Sequence, residues 1–428
     1  MNDFVRKLKR VWLTPLGSRG SAGRRPFERG IALFMVLISL ALMSALVTDL
    51  GYNELVRYKL AMYERDALKA EELAASGINT SRLLLVAQSK LQNIVASFAT
   101  AGMPLPSYAI WDLLPLDTDI LKNLTSGDYA GFLGLDLSDT LKKRLEAHKA
   151  ARERAKTKNS FEPPVGGFGA FDGSFSVAIQ DEESKIPLRG WAAFPQNQRA
   201  QVRGLLLGLF APTRYDFLFE GEDHVDRATL VANMFDWIDV NDQITDPYAG
   251  DAQWGNVGGG SEKAIYEKEP GIAPKNAFFD SLDELRLVHG MTDLHMKAFG
   301  DFISIYGQDG KVNILTAQNR VLEAIIRYCA VNPADQRFSN KAWLKDVLAG
   351  WHTYKSGGGG PVTAQGFTNY LQSRGLGINQ ANCQNVLGDQ SYNFVVKSTA
   401  TVGEVTRTLT LVTRIFKNVE DAYYFRTN

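Results

Sequence analysis

The chain has 428 residues, 45% of them hydrophobic, and its 47 basic residues balance its 47 acidic residues. This length and composition predict a large buried core and more than one domain, and they exclude a low-complexity chain. The charge is divided unevenly, because residues 1–30 carry a net charge of +6 and residues 31–428 carry −6. A mildly acidic body argues against nucleic acid as a partner, since phosphate binding requires clustered positive charge.

The first predicted element is an uncharged apolar run from Ile31 to Thr48, which ends at Asp49. Its 18 residues would extend about 27 Å as a helix, enough to cross a thin hydrocarbon core. Eight basic residues precede the run, and this asymmetry keeps the N-terminus in the cytoplasm and sends the rest across the membrane. Gly30 lies directly before the run, whereas a secretory signal is cut at small residues after its apolar segment. Cleavage after Gly30 would remove the leader and retain the helix.

This combination of basic leader, Gly30 and uninterrupted apolar helix resembles the leaders of type IV pilins and type II secretion pseudopilins. The resemblance implies cleavage between Gly30 and Ile31 by the prepilin peptidase, methylation of the new N-terminus, and a single-pass anchor in the bacterial inner membrane. The fifth mature residue in that family is usually Glu, whereas here it is Met35. A subunit without this carboxylate cannot offset the buried ammonium of a subunit ahead of it, which suits the first subunit of a filament. The pattern is similar to the minor pseudopilin K family.

The helix is predicted to continue past the membrane as one rod of about 55 residues. No proline occurs between Gly51 and Leu85, and small or apolar residues recur there at helical spacing. Two helices joined by a hinge at Gly51 are the alternative. We assign residues 31–90 to this helix and residues 91–170 to a variable insertion, to which we assign no chemistry.

Alternating apolar and polar residues then predict β-structure. Residues 174–179 and 185–188 predict a hairpin, and the same alternation returns far downstream at residues 391–397 and 406–415. A hairpin by itself is not stable, so the two clusters are predicted to form one sheet.

The predicted fold class is α+β: a pilin-like long N-terminal helix packed on an antiparallel sheet, with a large, mostly α-helical domain inserted between strands. The sheet is assigned to residues 171–190 and 388–428, and the inserted domain to residues 191–387. The resemblance to the minor pseudopilin K family covers this plan as well.

The densest cluster of candidate ligands lies between Asp236 and Asp251. Asp236 and Asp239 share one face where a helix is predicted to end. Loop carboxylates and carbonyls suit calcium, although the segment lacks the central glycine and final glutamate of an EF-hand loop. The segment resembles the Asp-Trp-x-Asp calcium region of the K family, which implies Asp239, Asp242, Asp246 and Asp251 as ligands, with Asp236 as a cap or outer ligand. A solvated acidic loop is the alternative.

The segment Lys311–Ala317 resembles a second short sequence motif of the K family. Its Asn313 and Thr316 are short polar residues suited to capping a helix predicted to begin at Gln318. A similar motif occurs in helix-hairpin-helix DNA-binding modules, but the net negative charge of residues 31–428 disfavours DNA binding.

The two cysteines, Cys329 and Cys383, fit no zinc or redox motif. Outside the inner membrane they could form a disulfide or remain two buried thiols, and the sequence leaves both open. The five histidines form no HExxH motif, and no GxSxG elbow or phosphate loop occurs. The sequence therefore predicts a protein without catalytic activity.

The resemblance implies a minor pseudopilin at the tip of the type II secretion pseudopilus. It would initiate assembly and limit growth of the pseudopilus during export of folded proteins across the outer membrane, with its C-terminal domain in the periplasm. The implied partners are the I- and J-type minor pseudopilins, the prepilin peptidase and the inner-membrane assembly platform. The alternatives are a minor pilin of a type IV pilus or DNA-uptake system, a membrane-anchored calcium-binding periplasmic hydrolase, and an ordinary signal anchor.

Overall fold

The computed structural model describes residues 28–100, 109, 111, 116–118, 172–221, 224–256, 258–267, 271–307, 310–357, 362–416 and 419–427. The predicted leader, apart from its last three residues, and most of the predicted insertion of residues 91–170 lie outside these ranges. The chain forms two compact units, Met1–Arg65 and Asp66–Asn428.

Helices and strands alternate irregularly along the described part of the chain. The helices are α1 (Glu28–Thr100), α2 (Gln196–Phe210), α3 (Arg227–Asp236), α4 (Asp293–Phe299), α5 (Asn319–Cys329), α6 (Lys341–Gly357), α7 (Ala364–Ser373) and α8 (Gln380–Val386). The strands are β1 (Leu116–Asp117), β2 (Ser174–Asp181), β3 (Ile186–Pro187), β4 (Gln243–Thr245), β5 (Gly258–Ser261), β6 (Ile303–Ser304), β7 (Val312–Asn313), β8 (Leu387–Gly388), β9 (Asn393–Val402), β10 (Val405–Phe416) and β11 (Val419–Thr427).

Helix α1 is one helix of 73 residues that is continuous through Gly51. The single-helix prediction is confirmed, and the alternative of two helices with a hinge at Gly51 is wrong. Its segment from Ile31 to Gln92 contains a stretch that is long and apolar enough to cross a membrane, and none of that stretch is buried. The large apolar side chains of this stretch therefore have no protein core around them, as expected of a membrane anchor.

The second unit contains a five-stranded antiparallel sheet in the order β1-β2-β9-β10-β11. Strand β2 pairs with β9, with Phe175 opposite Ala400 and Ile179 opposite Val396, so the sheet joins distant parts of the chain as predicted. One face of this sheet is covered by the second half of α1. The shared core contains Ala70, Leu73, Ala74, Ile78 and Leu85 from the helix and Phe175, Phe394, Val396, Ala400, Leu409, Leu411 and Ile415 from the sheet.

The predicted hairpin at residues 174–188 is wrong. A 3-10 turn at Glu182–Ser184 redirects the chain, and β3 pairs in parallel with β6 instead of returning along β2. The backbone N–H of Leu188 donates to Ser304 O at 2.7 Å, which continues this pairing beyond Pro187. Proline has no N–H to donate to a ladder, so the segment suits a two-residue contact better than a long strand.

Between β3 and β8 the chain is mostly helical, which confirms the predicted fold class. Its large apolar side chains form a second core, distinct from the one under α1 and spanning Ile186 to Leu387. Helices α2 and α5 cross closely, because a Cβ on Gly208 would lie 2.8 Å from Ala324 O. Cys329 and Cys383 form a disulfide, so of the two states left open by the sequence the bonded one is present.

Asn313 and Thr316 do not cap helix α5, so that prediction is wrong. The N-cap position is Gln318, and its side chain makes no capping hydrogen bond. The side chains of Asn313 and Thr316 donate hydrogen bonds to the carboxylate of Asp181 instead. A carboxylate is a strong hydrogen-bond acceptor. The sequence did not indicate this contact, because Asp181 lies far from Asn313 and Thr316 along the chain.

Helix α1 approaches the sheet closely at Gly77. A Cβ at this position would lie 2.3 Å from Ser398 Oγ and 2.9 Å from Phe175 Cδ2. We expect Gly77→Ala to lower the free energy of unfolding by up to about 2 kcal/mol, because overpacking costs about 1–3 kcal/mol and the gain in helix propensity offsets about 1 kcal/mol of that cost. Urea unfolding of the full chain in detergent measures this difference.

Gly51→Ala is the matched control in the same helix, since a Cβ at Gly51 would meet nothing within 4 Å. It should not lower the stability. Gly77→Ala should be less stable than Gly51→Ala by about 1–3 kcal/mol, because both variants share the gain in helix propensity. Equal unfolding free energies for the two variants would contradict close packing at Gly77.

Candidate metal centre

Three buried carboxyl groups meet where helix α3 ends and strand β5 ends. Asp236, Asp239 and Glu262 each place one carboxylate oxygen within 4.8 Å of the others. Among the described residues this is the one group of three or more acidic, histidine or cysteine side chains with such spacing. The arrangement is therefore the candidate site for a cation.

Asp236 is the last residue of α3, and Asp239 follows in the turn after it. Both carboxylate oxygens of Asp236 accept from the backbone N–H of Thr245, at 3.2 and 3.1 Å. Asp239 Oδ2 accepts from Asn241 Nδ2 at 2.6 Å, whereas its buried Oδ1 has no hydrogen-bond partner. The helix end thus presents one carboxylate held by the backbone and one with a free buried oxygen.

Glu262 comes from the short hairpin that follows. Strands β4 and β5 pair in antiparallel fashion, with Gln243 opposite Ser261. The backbone N–H of Glu262 donates to Asp242 O at 3.3 Å, which holds the residue against the loop. Its side chain is fully buried, and neither carboxylate oxygen has a hydrogen-bond partner. An ionised carboxylate that is buried without hydrogen-bond donors is costly in free energy, so this side chain would be stabilised by binding a cation or a proton.

Burial disfavours the charged form of all three groups. It raises the pKa of Asp236 to about 6. Burial and the nearby Asp236 raise the pKa of Asp239 to about 7. Burial, followed by Asp236, Asp239 and Asp242, raises the pKa of Glu262 to about 9. Three like charges in one buried site repel one another, and a divalent cation would reverse that balance by favouring all three ionised forms.

The donor set fits calcium. Its oxygens are hard ligands, and the unpartnered oxygens of Asp239 and Glu262 are directed into one buried site. Calcium takes six to eight oxygens and accepts backbone carbonyls and waters beside carboxylates. Calcium bound here would offset two of the three carboxylate charges and link the end of α3 to the β4–β5 hairpin.

The carboxylates of the other predicted ligands do not belong to this group. Asp242 is 48% exposed in its side chain and lies 3.7 Å from Lys263 Nζ. Asp246 Oδ1 accepts from the backbone N–H of Tyr248 at 2.9 Å, a local turn contact. Asp251 Oδ1 lies 3.0 Å from Arg203 Nη1, and the side chain of Asp251 is 75% exposed. The structure thus brings Asp236 and Asp239 together with a residue that we did not predict.

Glu262 was missed because nothing local marks it. It follows the glycine run of β5, 11 positions after Asp251, and so lies outside the aspartate-rich segment. The pairing of β4 with β5 brings it to Asp239. The only available signal was a lone acidic residue after a glycine-rich strand, which is too common to indicate a ligand.

Similarity to known proteins is found at the level of solved structures. No protein-family model and no curated protein sequence matches the chain. Among solved structures, the chain is similar to one in the crystal structure of the GspK-GspI-GspJ complex from the enterotoxigenic Escherichia coli Type 2 Secretion System. That match has 14% identity and a TM-score of 0.42, and it covers 68% of this chain and 99% of that chain. A likeness at this level concerns the fold and does not indicate a function.

Proposed function

We propose that this chain is a membrane-anchored assembly protein and, within that class, a K-type minor pseudopilin of a type II secretion machine. The observation that carries the proposal is the junction between Gly30 and Ile31. One continuous helix follows this junction. Its first part is an apolar segment of membrane length, and its second part covers the sheet. A helix with these two roles suits a subunit that is held in the membrane first and added to a filament later.

The leader supports processing by the prepilin peptidase. The basic flank would remain in the cytoplasm, and the body would lie in the periplasm. Cleavage after Gly30 leaves Ile31 as a new N-terminus, which is the usual target of N-methylation in pseudopilins.

Met35 supports the proposal that this subunit lies at the tip of the pseudopilus. In a bundle of apolar helices an unpaired ammonium is costly, so the carboxylate of each added subunit would offset the ammonium of the subunit ahead of it, and only the first subunit has none ahead. A subunit with Met35 provides no such carboxylate, and the mostly helical insertion adds bulk at its head. The protein would therefore start the pseudopilus and limit its growth during export of folded proteins across the outer membrane.

The exposed apolar side chains of α1 support the proposal that helices of partner subunits pack against it. Beyond the uncharged run, Tyr52, Val56 and Tyr63 are 65%, 45% and 51% exposed in the chain by itself. They recur at intervals of four and seven residues, which places them on one stripe of the helix. Helices of I- and J-type minor pseudopilins are the proposed partners for this stripe, with the inner-membrane assembly platform receiving the complex.

Calcium is the proposed bound ion, held by Asp236, Asp239 and Glu262. Its proposed role is structural, because the site joins two segments of the helical insertion. The missing nucleophile and base argue against a hydrolase that uses calcium only for stability.

The test of this function is the mass and N-terminal sequence of the protein recovered from membranes, with and without the prepilin peptidase. The expected mature chain begins at Ile31, carries an N-methyl group and depends on the peptidase. Gly30→Leu should remain uncut, because a branched side chain cannot replace the small residue at the cleavage position. Gly23→Leu, which lies within the leader, is the matched control and should be processed normally.

An intact leader in the unaltered chain, or cleavage beyond Thr48, would contradict the proposal and return the chain to the anchored or secreted periplasmic proteins. Correct processing without association with I- and J-type partners would favour a type IV pilus subunit. Co-purification with those partners would support type II secretion.

A further inference from the structure

A cavity of about 540 Å³ lies beside the start of helix α5, away from the candidate metal centre. Its described lining includes Arg320 from α5 and His352 and Lys355 from α6, and no described residue that lines it is acidic. Like charges repel one another at short range, so basic side chains that share a cavity without a carboxylate favour an anion between them.

Aromatic rings and neutral acceptors hold the guanidinium of Arg320 in place. It lies over the rings of Phe302 and Tyr215, at 5.1 and 5.6 Å from their centroids. Its Nη1 donates to the hydroxyl of Tyr215 and, at 3.2 Å, to Ala298 O. Both hydrogen bonds use one nitrogen of a group that has five N–H donors. The guanidinium is therefore positioned by uncharged partners, and donors remain for a ligand.

Two basic side chains of α6 face the turn that leads into α5. They are three positions apart and so share one face of the helix. Lys355 Nζ donates to Leu315 O at 2.8 Å, and His352 Nε2 lies 2.7 Å from Asn319 Oδ1. Burial, followed by the charge of Lys355, lowers the pKa of His352, so the two groups lie within electrostatic reach of each other. A bound anion would offset this repulsion and favour the charged imidazole.

Two carboxylates in the segments around the cavity have other partners. Asp181 accepts a hydrogen bond from the hydroxyl of Thr316 but does not line the cavity. Glu323 of α5 lies 2.9 Å from Arg214 Nη2 and 3.1 Å from Arg327 Nη2. Neither carboxylate is paired with a basic group of the cavity.

The backbone adds neutral donors on the same wall. Helix α5 has 11 residues, and the side chain of Gln318 at its N-cap makes no capping hydrogen bond. The first N–H groups of a helix have no intrahelical partner. They therefore supplement the three basic side chains, which are the main features of the site.

We propose that this cavity binds a phosphate group, held by the guanidinium of Arg320, the ammonium of Lys355 and the imidazole of His352. A phosphate monoester carries close to two negative charges at neutral pH and has three strong acceptor oxygens. This matches two permanent positive charges and a third group that can ionise. A carboxylate has one charge and two oxygens, and it would leave positive charge uncompensated. The inference rests on contacts within the helical insertion and does not depend on the proposed secretion function.

The first test is calorimetric titration of inorganic phosphate into the full chain in detergent, at constant ionic strength. A calcium chelator is present, so that phosphate cannot act by removing calcium from the metal centre. We expect saturable binding, which Arg320→Gln and Lys355→Gln should each weaken by about 10-fold to 100-fold, because each removes a charged donor. Lys355 is partly exposed, so Lys355→Gln keeps the test valid if Arg320→Gln does not fold.

Lys345→Gln is the matched control. Lys345 is an exposed lysine of the same helix that does not line the cavity, so this variant should bind phosphate as the unaltered chain does. Equal weakening by Lys345→Gln and Lys355→Gln would indicate a general attraction of anions and overturn the proposal. No saturable binding by the unaltered chain up to about 10 mM phosphate would overturn it as well.

A second titration identifies the source of the phosphate group. It compares inorganic phosphate with glycerophosphoglycerol, the water-soluble headgroup of phosphatidylglycerol, and with acetate. Tighter binding of inorganic phosphate would support a free phosphate or a phosphate monoester as the ligand, and tighter binding of glycerophosphoglycerol would support a lipid headgroup. Acetate that binds as tightly as either phosphate compound would indicate a carboxylate site and overturn the proposal.

Discussion

Replacing Cys329 and Cys383 together by alanine is expected to lower the free energy of unfolding by about 4 kcal/mol in the chain-entropy account of disulfides. The bond closes a segment 54 positions long that contains α6 and α7. Cys329 is the last residue of α5 and Cys383 lies in α8, which leads directly into β8. The bond therefore limits how far the unfolded chain can separate two helices that pack together in the insertion.

Chemical unfolding with and without reducing agent measures this contribution. The reduced chain and the double alanine variant should have similar stabilities, both well below that of the oxidised chain. The reducing agent should have no effect on the variant, which serves as its own control. A stability that is the same in the oxidised and reduced states would contradict the expected effect.

Calcium added after chelation is expected to raise the free energy of unfolding by about 2.7 kcal/mol at a hundredfold excess over Kd. Glu262→Gln should abolish this response, because Glu262 provides two buried oxygens without hydrogen-bond partners. Without a cation the pKa of Glu262 is about 9, so this side chain holds a proton at neutral pH. The chelated variant should therefore be as stable as the chelated unaltered chain to within about 0.5 kcal/mol.

Asp251→Asn is the matched control. Asp251 contacts Arg203 at the surface and lies outside the buried group, so this variant should keep the calcium response. The opposite result, with a response in Glu262→Gln and none in Asp251→Asn, would contradict the buried site. It would favour the loop ligands Asp239, Asp242, Asp246 and Asp251 implied by the sequence resemblance.

Features with a local physical cause were predictable from the sequence. The uncharged run from Ile31 and the basic flank before Gly30 define a membrane-length helix, since its length and charge asymmetry need no partner. Small and apolar residues at helical spacing predicted the continuation of α1, and alternation predicted β2, β9 and β10. The fold class follows from these elements, because two strand clusters separated by helices can share a sheet only if the helices form an insertion.

Only the tertiary structure decided which distant residues meet. After β2 the chain turns away, and the carboxylate of Asp181 accepts hydrogen bonds from Asn313 and Ser391, so the predicted hairpin does not form. Glu262 joins Asp239 through the pairing of β4 with β5, and Cys329 reaches Cys383 through the packing of α5 with α8. Helical and strand periods are properties of neighbouring residues, whereas buried polar contacts depend on which segments the hydrophobic core brings together. The sequence by itself therefore determined the membrane-length helix and the main helices and strands, and the tertiary structure decided the acidic site, the disulfide and the hydrogen bonds of Asp181.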